Sequence, residues 1–221
     1  MRHALIVGAG AGLSASLTRK LSVAGWQVAL AARDTAKLST LAAETGATAH
    51  VCDSADPAQV EALFAAIPAG ELVVYNPSFR VRGPIATLDP ALVRRALEVC
   101  AFGAFLVAQQ AARRMLAAGH GTILLTGASA GVKGFAESAP FAMGKFALRG
   151  LGESLARELH PKNIHVCHFT IDGGIASATR AQGDDNLLDP DAIADSYLHV
   201  LAQPRSAWSS EMAIRPWVER F

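Results

Sequence analysis

The sequence predicts a single α/β domain in which a mostly parallel, doubly wound sheet lies between two layers of helices. Short β-type runs alternate with helical patterns along most of the chain. The strand runs are almost continuously apolar, which is typical of parallel strands buried on both faces. No repeat or low-complexity linker divides the 221 residues, and a chain of this length commonly forms one domain with a large core. We therefore expect one domain over residues 1–221.

The strands are predicted from apolar runs bounded by turn residues. In order they are ALIV (4–7), QVALAA (27–32), TAHVCD (48–53), ELVVYN (71–76), TILLTG (122–127) and IHVCHFTI (164–171). Helical patterns occupy the segments between them, at 13–25, 34–46, 56–67, 90–119 and 146–159. Several of these helices follow Asp or Asp-Pro and several stop at glycine, which are helix-capping signals. The apolar tail 207–221, with Trp208, Trp217 and Phe221, predicts a last strand and a docking segment.

Composition narrows the classes of function. Apolar residues make up 51% of the chain, charged residues 18%, and the net charge is +1, so neither nucleic acid nor an acidic membrane surface is expected as the main partner. The three cysteines are far apart, which argues against a disulfide framework and fits a reducing cytoplasm. No signal segment or membrane span is recognisable. We expect a cytoplasmic protein that binds a small molecule.

A glycine turn, residues 8–14, joins the first strand to the first helix. Gly8, Gly10 and Gly12 leave bare backbone there, and backbone N–H groups at the start of a helix attract a pyrophosphate. The flanking residues Ala11 and Leu13 are expected to belong to the same cradle. Because a strand precedes the turn and a second strand completes the β-α-β unit, we interpret it as a dinucleotide site rather than as a merely structural turn.

The end of the second strand selects the cofactor. Dinucleotide sites that bind NAD place an acidic residue here, against the ribose 2′-hydroxyl. The sequence VALAARD has Ala32 at that position and Arg33 after it, and a guanidinium suits a 2′-phosphate. NADP(H) is therefore favoured over NAD(H). The alternative is that Arg33 is a solvated loop charge beside Asp34.

These motifs resemble those of the short-chain dehydrogenase/reductase family, and the likeness runs from residue 1 to about residue 180. GAGAGLS is similar to the family's G-x-x-x-G-x-G, with Ser14 at the third glycine. The resemblance implies a Rossmann domain, and homodimers or homotetramers are usual in the family. It also implies further cofactor contacts, which by position are Asp53, Ser54, Asn76, Lys145, Gly173, Ile175 and Ser177.

The same resemblance implies a catalytic tyrosine, a lysine four residues on, a serine thirteen residues before the tyrosine, and an asparagine on an earlier helix. Aligning the helix 141–159 on Lys145 puts Phe141 at the tyrosine. Counting back thirteen residues reaches Ala128, beside Ser129, and Cys100 stands at the asparagine. Of the four side chains only Lys145 is retained.

Two hypotheses follow from these losses. A placed acid or base contributes roughly 10² to 10⁴ in rate, so an enzyme that lacks the tyrosine needs another source for the proton. One hypothesis is therefore an NADP(H)-dependent oxidoreductase with a non-standard site, acting on a small carbonyl, alcohol or enone. The other is an NADP(H)-binding protein without turnover, a sensor or subunit. Cys100 is a candidate thiol acid or nucleophile beside a lysine, or a small buried apolar residue.

A more distant alternative is an α/β hydrolase. GASAG (127–131) fits the nucleophile elbow G-x-S-x-G with Ser129 as nucleophile. The other members of its catalytic triad would be Asp172 or Asp195, and His199. In a nucleophile elbow a helix begins directly after the serine, whereas here Gly134 and Pro140 precede the next helical pattern.

Four further features are interpreted as structural. The group His160, His165, Cys167 and His168 suggests no metal site, because His165 and His168 face opposite sides of a strand. The basic pair Arg94 and Arg95 is expected on a solvated helix face, and the loop 178–190 matches no recognisable chemistry. The segment 190–221 is expected to close the substrate pocket or to form a subunit contact.

Overall fold

Seven parallel strands form the centre of the protein, in the order β3-β2-β1-β4-β5-β6-β7. The computed structural model describes residues 2–180 and 183–219. The strands are β1 (Arg2–Val7), β2 (Trp26–Ala32), β3 (Thr48–Val51), β4 (Leu72–Tyr75), β5 (Gly121–Thr126), β6 (Ile164–Ile171) and β7 (Glu211–Ile214). Because the order reverses between β1 and β4, the loops that follow these two strands diverge and leave a crevice at the carboxyl edge of the sheet.

The α-helices of the described residues are α1 (Leu13–Val23), α2 (Ser39–Thr45), α3 (Pro57–Ala66), α4 (Pro90–Leu97), α5 (Gly103–Ala118), α6 (Ala139–Leu159) and α7 (Pro190–Leu201). They cover both faces of the sheet, so alternate strand residues enter separate cores. In β1, Ala4 and Ile6 pack with residues of α1, α2 and α7. Leu5 and Val7 pack with residues of α3, α5 and α6.

The helix ends explain why the capping signals in the sequence are informative. Asp56, Asp89 and Asp189 each precede a proline, and each carboxylate accepts a hydrogen bond from a backbone N–H of the first turn. At the other end, α2 and α5 are followed by Gly46 at φ +72° and Gly119 at φ +76°, a left-handed conformation that glycine adopts without strain.

Four predicted elements differ clearly in extent. The helix predicted over 146–159 begins seven residues earlier, at Ala139. The strand predicted over 48–53 ends at Val51 because the Asp53 carboxylate accepts the N–H of Ala55 and turns the chain. The helix predicted over 34–46 begins with a short 3₁₀ turn, Ala36–Leu38. The single helix predicted over 90–119 is divided by a π-helical turn, Glu98–Phe102, which contains Cys100.

Helix α7 lies in the segment 190–221, which the sequence analysis treated as a tail. Its buried Tyr197 stacks on Phe169 of β6, with ring centroids 3.6 Å apart, and its hydroxyl lies 2.9 Å from the hydroxyl of Thr126. The first part of the segment is therefore core structure. After it, Trp208 stacks on His165 with centroids 4.6 Å apart, whereas Trp217 is exposed. Phe221 lies outside the described residues.

No helix within residues 2–180 and 183–219 is long and apolar enough to cross a membrane.

His168 on β6 links the fold to pH. The ring is buried, neither ring nitrogen has a hydrogen-bond partner among the described residues, and burial lowers its pKa to about 4. The folded protein therefore binds fewer protons than the unfolded chain between about pH 6.5 and pH 4, so stability is lost as pH falls through this window.

We expect the free energy of unfolding to fall by about 2–3 kcal/mol between pH 7 and pH 4.5 on account of His168. Urea unfolding at both pH values measures the fall. His168→Leu should remove this part of the pH dependence, and His120→Leu, at an exposed histidine, should keep it. Equal pH dependence in the wild type and in His168→Leu would contradict this account.

Candidate active site

The glycine turn lies at the crevice between β1 and β4. Gly8 has φ +80°, and a Cβ there would lie 2.5 Å from the backbone nitrogen of Pro77, so this position requires glycine on two grounds. A Cβ on Gly10 or Gly12 would meet no heavy atom within 4 Å. Gly12 precedes α1, and no side chain caps the N–H groups of that helix. The turn therefore presents open backbone and unpaired donors to the crevice.

Ser14, at the third glycine position, ties this turn to the end of β4. Its hydroxyl donates to the carbonyl oxygen of Gly8 at 3.2 Å, and the Asn76 side-chain amide donates to the Ser14 hydroxyl at 2.8 Å and to the Gly8 carbonyl oxygen at 3.4 Å. The substitution by serine thus adds hydrogen bonds that a glycine could not make. Asn76 belongs to the scaffold of the turn.

A cleft of about 450 Å³ opens beside the turn and contains several of the predicted cofactor residues. Its lining includes Gly8, Arg33, Asp53, Ser54 and Asn76. Two other residues predicted in this cradle do not line the cleft. Ala11 is exposed, and the Leu13 side chain is buried in the core at the start of α1.

Lys37 also lines the cleft, and the sequence analysis did not identify it. It pairs with Asp34, with 3.2 Å between Nζ and Oδ2, and the other carboxylate oxygen of Asp34 accepts the N–H of Ala36. Asp34 is thereby committed to Lys37 and its own turn. A basic residue one turn after Arg33 was the signal available in the sequence.

Asp53 is neutralised by an arginine that the sequence analysis expected to be solvated. Its carboxylate pairs with Arg95 of α4, which also contacts Glu98 at 3.5 Å. The expectation of a solvated Arg95 is wrong, because α4 crosses the edge of the cleft and brings the guanidinium to Asp53. The neighbouring Ser54 is buried, with its hydroxyl 3.2 Å from that of Tyr75.

The loop after β6 also lies at the carboxyl edge of the sheet. Gly173 has φ +151°, and a Cβ there would lie 2.7 Å from the ring of Pro216. Asp172 is buried and lies 3.6 Å from Arg215 and 4.0 Å from Lys133. Beyond it, Ile175 pairs with Leu188, and Ser177 pairs with Arg180 through backbone bridges. This loop is therefore held by backbone pairing as well as by charge.

Lys145 projects from α6 into the site and is only 2% exposed. Its ammonium donates to the carbonyl oxygen of Thr126 at 2.8 Å and lies 5.8 Å from the centroid of the Phe141 ring. Burial lowers the pKa of Lys145, and the Cys100 thiol opposes this effect. A buried ammonium with a lowered pKa releases its proton more readily than the ammonium of an exposed lysine.

An apolar floor, defined as Cys100, Ala128, Ala130 and Phe141, lies beside Lys145. The Cys100 thiol is within contact distance of the backbone of Phe79, with 3.5 Å to the nitrogen and 3.7 Å to the oxygen. A Cβ on Gly144 would lie 2.7 Å from the Cβ of Cys100, so glycine allows α6 to approach the π-helical turn. The structure therefore brings together Cys100, Ala128 and Phe141, which were predicted at catalytic positions, and places the Lys145 ammonium near them.

A sequence profile described as short chain dehydrogenase matches residues 2–186. The chain belongs to the short-chain dehydrogenase family.

Individual relatives extend this finding. D-erythrulose reductase of Gallus gallus is 31% identical over 167 residues, which are 75% of this chain and 68% of that protein. The crystal structure of a short-chain dehydrogenase from Rhodopseudomonas palustris is similar with 33% identity and a TM-score of 0.86, over 98% of this chain and 99% of that one. A metagenomic short-chain oxidoreductase in complex with NADP has 27% identity and a TM-score of 0.86, over 98% and 97%. Family and Rossmann-like fold agree with the resemblance in the sequence.

The geometry of this family member disfavours the hydrolase alternative. A 3₁₀ turn, Ser129–Gly131, follows β5, and α6 begins only at Ala139. His199 is exposed in the last turn of α7, and no hydrogen bond joins it to Ser129 within the described residues. Asp195 pairs with Lys20 at 2.6 Å.

The histidines are placed by packing. His160 and His165 both contact Trp208, and His165 lies 2.9 Å from the carbonyl oxygen of Ser209. No group of three or more His, Cys, Asp or Glu residues that could hold a metal ion occurs within the part of the chain that the structure describes.

The two glycines of the turn provide a matched test of the scaffold. We expect Gly8→Ala to lower the free energy of unfolding by about 2–3 kcal/mol, because it combines a positive φ with a backbone clash. Gly10→Ala should change it by less than about 0.5 kcal/mol, because the space there is open. Urea unfolding of both variants measures the two free energies. If Gly8→Ala and Gly10→Ala lowered the free energy of unfolding by similar amounts, the close approach of Pro77 would not be what requires glycine at position 8.

Proposed function

We propose that this protein is an NADP(H)-dependent oxidoreductase with a non-standard active site, built on one NAD(P)-binding unit over residues 1–221. The observation that carries the proposal is the combination of an intact dinucleotide crevice with the buried ammonium of Lys145 at its end. An ammonium is costly to bury without a functional or structural partner, and here it lies beside the floor on which a substrate would rest.

The crevice fits a dinucleotide. Open space at Gly10 and Gly12 admits a pyrophosphate, and the uncapped start of α1 supplies N–H donors and a positive helix end. Arg33, which forms no ion pair with any described residue, offers a positive charge at the end of β2, and Lys37, paired with Asp34, lies beside it in the cleft. This favours NADP(H) over NAD(H), because a 2′-phosphate needs cations there.

We assign the remaining contacts by position. The glycine turn, from Gly8 through Gly10, Ala11 and Gly12 to Leu13, would hold the pyrophosphate. Asp53 and Ser54 would border the adenine, and Asn76 would border the adjoining ribose. Lys145 would hold the nicotinamide ribose. The nicotinamide itself would lie against Gly173, Ile175 and Ser177.

The bound cofactor supplies a hydride to, or takes one from, the carbon atom of the substrate. The task left to this chain is to move a proton at the neighbouring oxygen, and neither Phe141 nor Ala128 has a proton to give. Lys145 can hold that proton at Nζ, and burial, which lowers its pKa, makes the proton easier to release. The apolar floor excludes water on the side of α6.

The proposed substrate is a small carbonyl compound, alcohol or enone. Cys100 has a structural role in this proposal, because its thiol faces the Phe79 backbone and its Cβ packs against Gly144.

A second candidate function is NADP(H) binding without turnover, as a sensor or subunit. The specific observation in its favour is the apolar floor itself. Three positions that carry polar side chains in the family's tetrad hold Phe141, Ala128 and Cys100, which removes polar atoms together around the place of hydride transfer.

We further propose a homodimer or homotetramer in the cytoplasm. Phe102, Phe105, Met143 and Phe146 expose 42–50% of their surface on the outer side of α5, α6 and the π-helical turn, and apolar surface of this kind favours association. Sedimentation velocity tests the assembly, and a monomer at micromolar concentration would refute it.

The three cysteines are buried free thiols, which fits a reducing compartment.

Arg33 tests the choice of cofactor. We expect Arg33→Ala to weaken NADPH binding about 10- to 100-fold, since a charge-assisted contact to a phosphate is lost, and to leave NADH binding unchanged. Fluorescence titration measures both affinities. Arg113→Ala, at an exposed arginine of α5, serves as the control and should bind both cofactors like the wild type. Equal loss for both cofactors would contradict the assignment to the 2′-phosphate.

Lys145 and Phe141 separate the two functions. If the protein is an enzyme, NADPH oxidation with a panel of carbonyls and enones should fall by about 10² or more in Lys145→Met, and Cys100→Ala should stay within a few-fold of the wild type. If the wild type is inactive with the whole panel and Phe141→Tyr with Ala128→Ser is active, the second function is favoured. NADPH titration of each folded variant provides the control for binding.

A further inference from the structure

Two loops carry three arginines near one another, and one of them, Arg80, lies over the apolar floor. Arg80 and Arg82 lie in the loop after β4, and Arg180 lies in the loop after β6. The guanidinium carbon of Arg80 is 5.2 Å from the centroid of the Phe141 ring, which is within range of a cation–π contact. A positive charge therefore lies over the position where the family's proton donor would be.

These charges are close to one another and form no ion pair with a carboxylate of the described residues. Burial, followed by the charges of Arg82 and Arg180, lowers the pKa of Arg80. Other arginines of this protein are neutralised, as Arg19 is by Glu44 and Arg149 is by Glu211. No ion pair joins Arg80, Arg82 or Arg180 to a carboxylate of residues 2–180 and 183–219, so this cluster is positively charged.

Arg180 is positioned by its surroundings. Its backbone N–H donates to the Ser177 carbonyl oxygen at 3.0 Å, and its own carbonyl oxygen accepts the Ser177 N–H at 2.9 Å. A Cβ on Gly174 would lie 2.9 Å from its Nη1, so the absence of a side chain there makes room for the guanidinium. The loop thus fixes the backbone of Arg180 and places its guanidinium beside Gly174.

A cationic mouth over an apolar floor selects for one kind of ligand. Guanidinium groups bind carboxylates and phosphates with directed, charge-assisted hydrogen bonds, and Phe141 with the partly exposed Ala128 would accept an apolar body. We propose that the substrate or ligand of this site is a small organic anion, whose carboxylate or phosphate is bound by Arg80 and Arg180. The proposal deepens the proposed function and rests on it, since the anion would lie next to the cofactor crevice.

Matched neutral and charged compounds test this proposal by isothermal titration calorimetry in saturating NADP⁺. The carboxylate pairs are pyruvate, acetoacetate and phenylglyoxylate, each with its methyl ester. The phosphate pair is dihydroxyacetone phosphate with dihydroxyacetone. We expect at least one anion to bind tenfold or more tightly than its neutral partner, and the pair that shows the difference distinguishes a carboxylate from a phosphate. No preference in any pair would overturn the proposal.

Arg80→Gln and Arg180→Gln should each weaken binding of the preferred anion about tenfold or more and leave the NADPH affinity unchanged. Arg157→Gln removes the same charge from an exposed position on α6 and should bind the anion like the wild type. If the arginine variants lose NADPH rather than the anion, the cluster serves the cofactor and the proposal is wrong. If the wild type binds NADPH and no anion, only this inference fails; if it does not bind NADPH, the proposed function fails.

Discussion

The carbonyl oxygen of Gly8 is the point on which the site depends. It accepts from both Ser14 and Asn76, and so it joins the loop after β1 to the loop after β4 where the order of the sheet reverses. The crevice can remain open because these loops are tied at their base, below the level at which a ligand would enter. The same junction explains Gly8 itself, since Pro77 approaches so closely that no side chain fits.

The sequence predicted those parts of the fold that depend on local signals. Apolar runs predicted six of the strands closely, and Asp-Pro pairs located the starts of α3 and α4. Helix α7 has the same signal at Asp189 and Pro190, but it was missed because its apolar residues were interpreted as a docking tail. Only the sheet shows that Tyr197 has a partner in Phe169. The π-helical turn at Cys100 was also missed, because it arises from the close approach of α6 at Gly144 and not from a local pattern.

Within the site, sequence comparison located positions, but it could not supply partners. Asp53 was identified by position, whereas its pairing with Arg95 depends on the course of α4, 42 residues further along the chain. Charge partners distant in sequence are set by the packing of whole elements, so a single sequence does not contain them in readable form. Arg80 was overlooked for the same reason, because its contact with Phe141 exists only once the loop after β4 lies against α6.

The phenyl group of Phe141 is consistent with the charges around it. A tyrosine at this position would place a phenolic oxygen next to the Arg80 guanidinium and near Lys145, and both cations would favour its ionised form. A phenolate there would pair with the arginine and would compete with any anionic ligand for the same charge. Phenylalanine keeps the cation–π contact and leaves the hydrogen-bond donors of Arg80 available. In the proposed function, this one substitution would both remove the proton donor and leave Arg80 available to an anion, and the proton would then be held by Lys145.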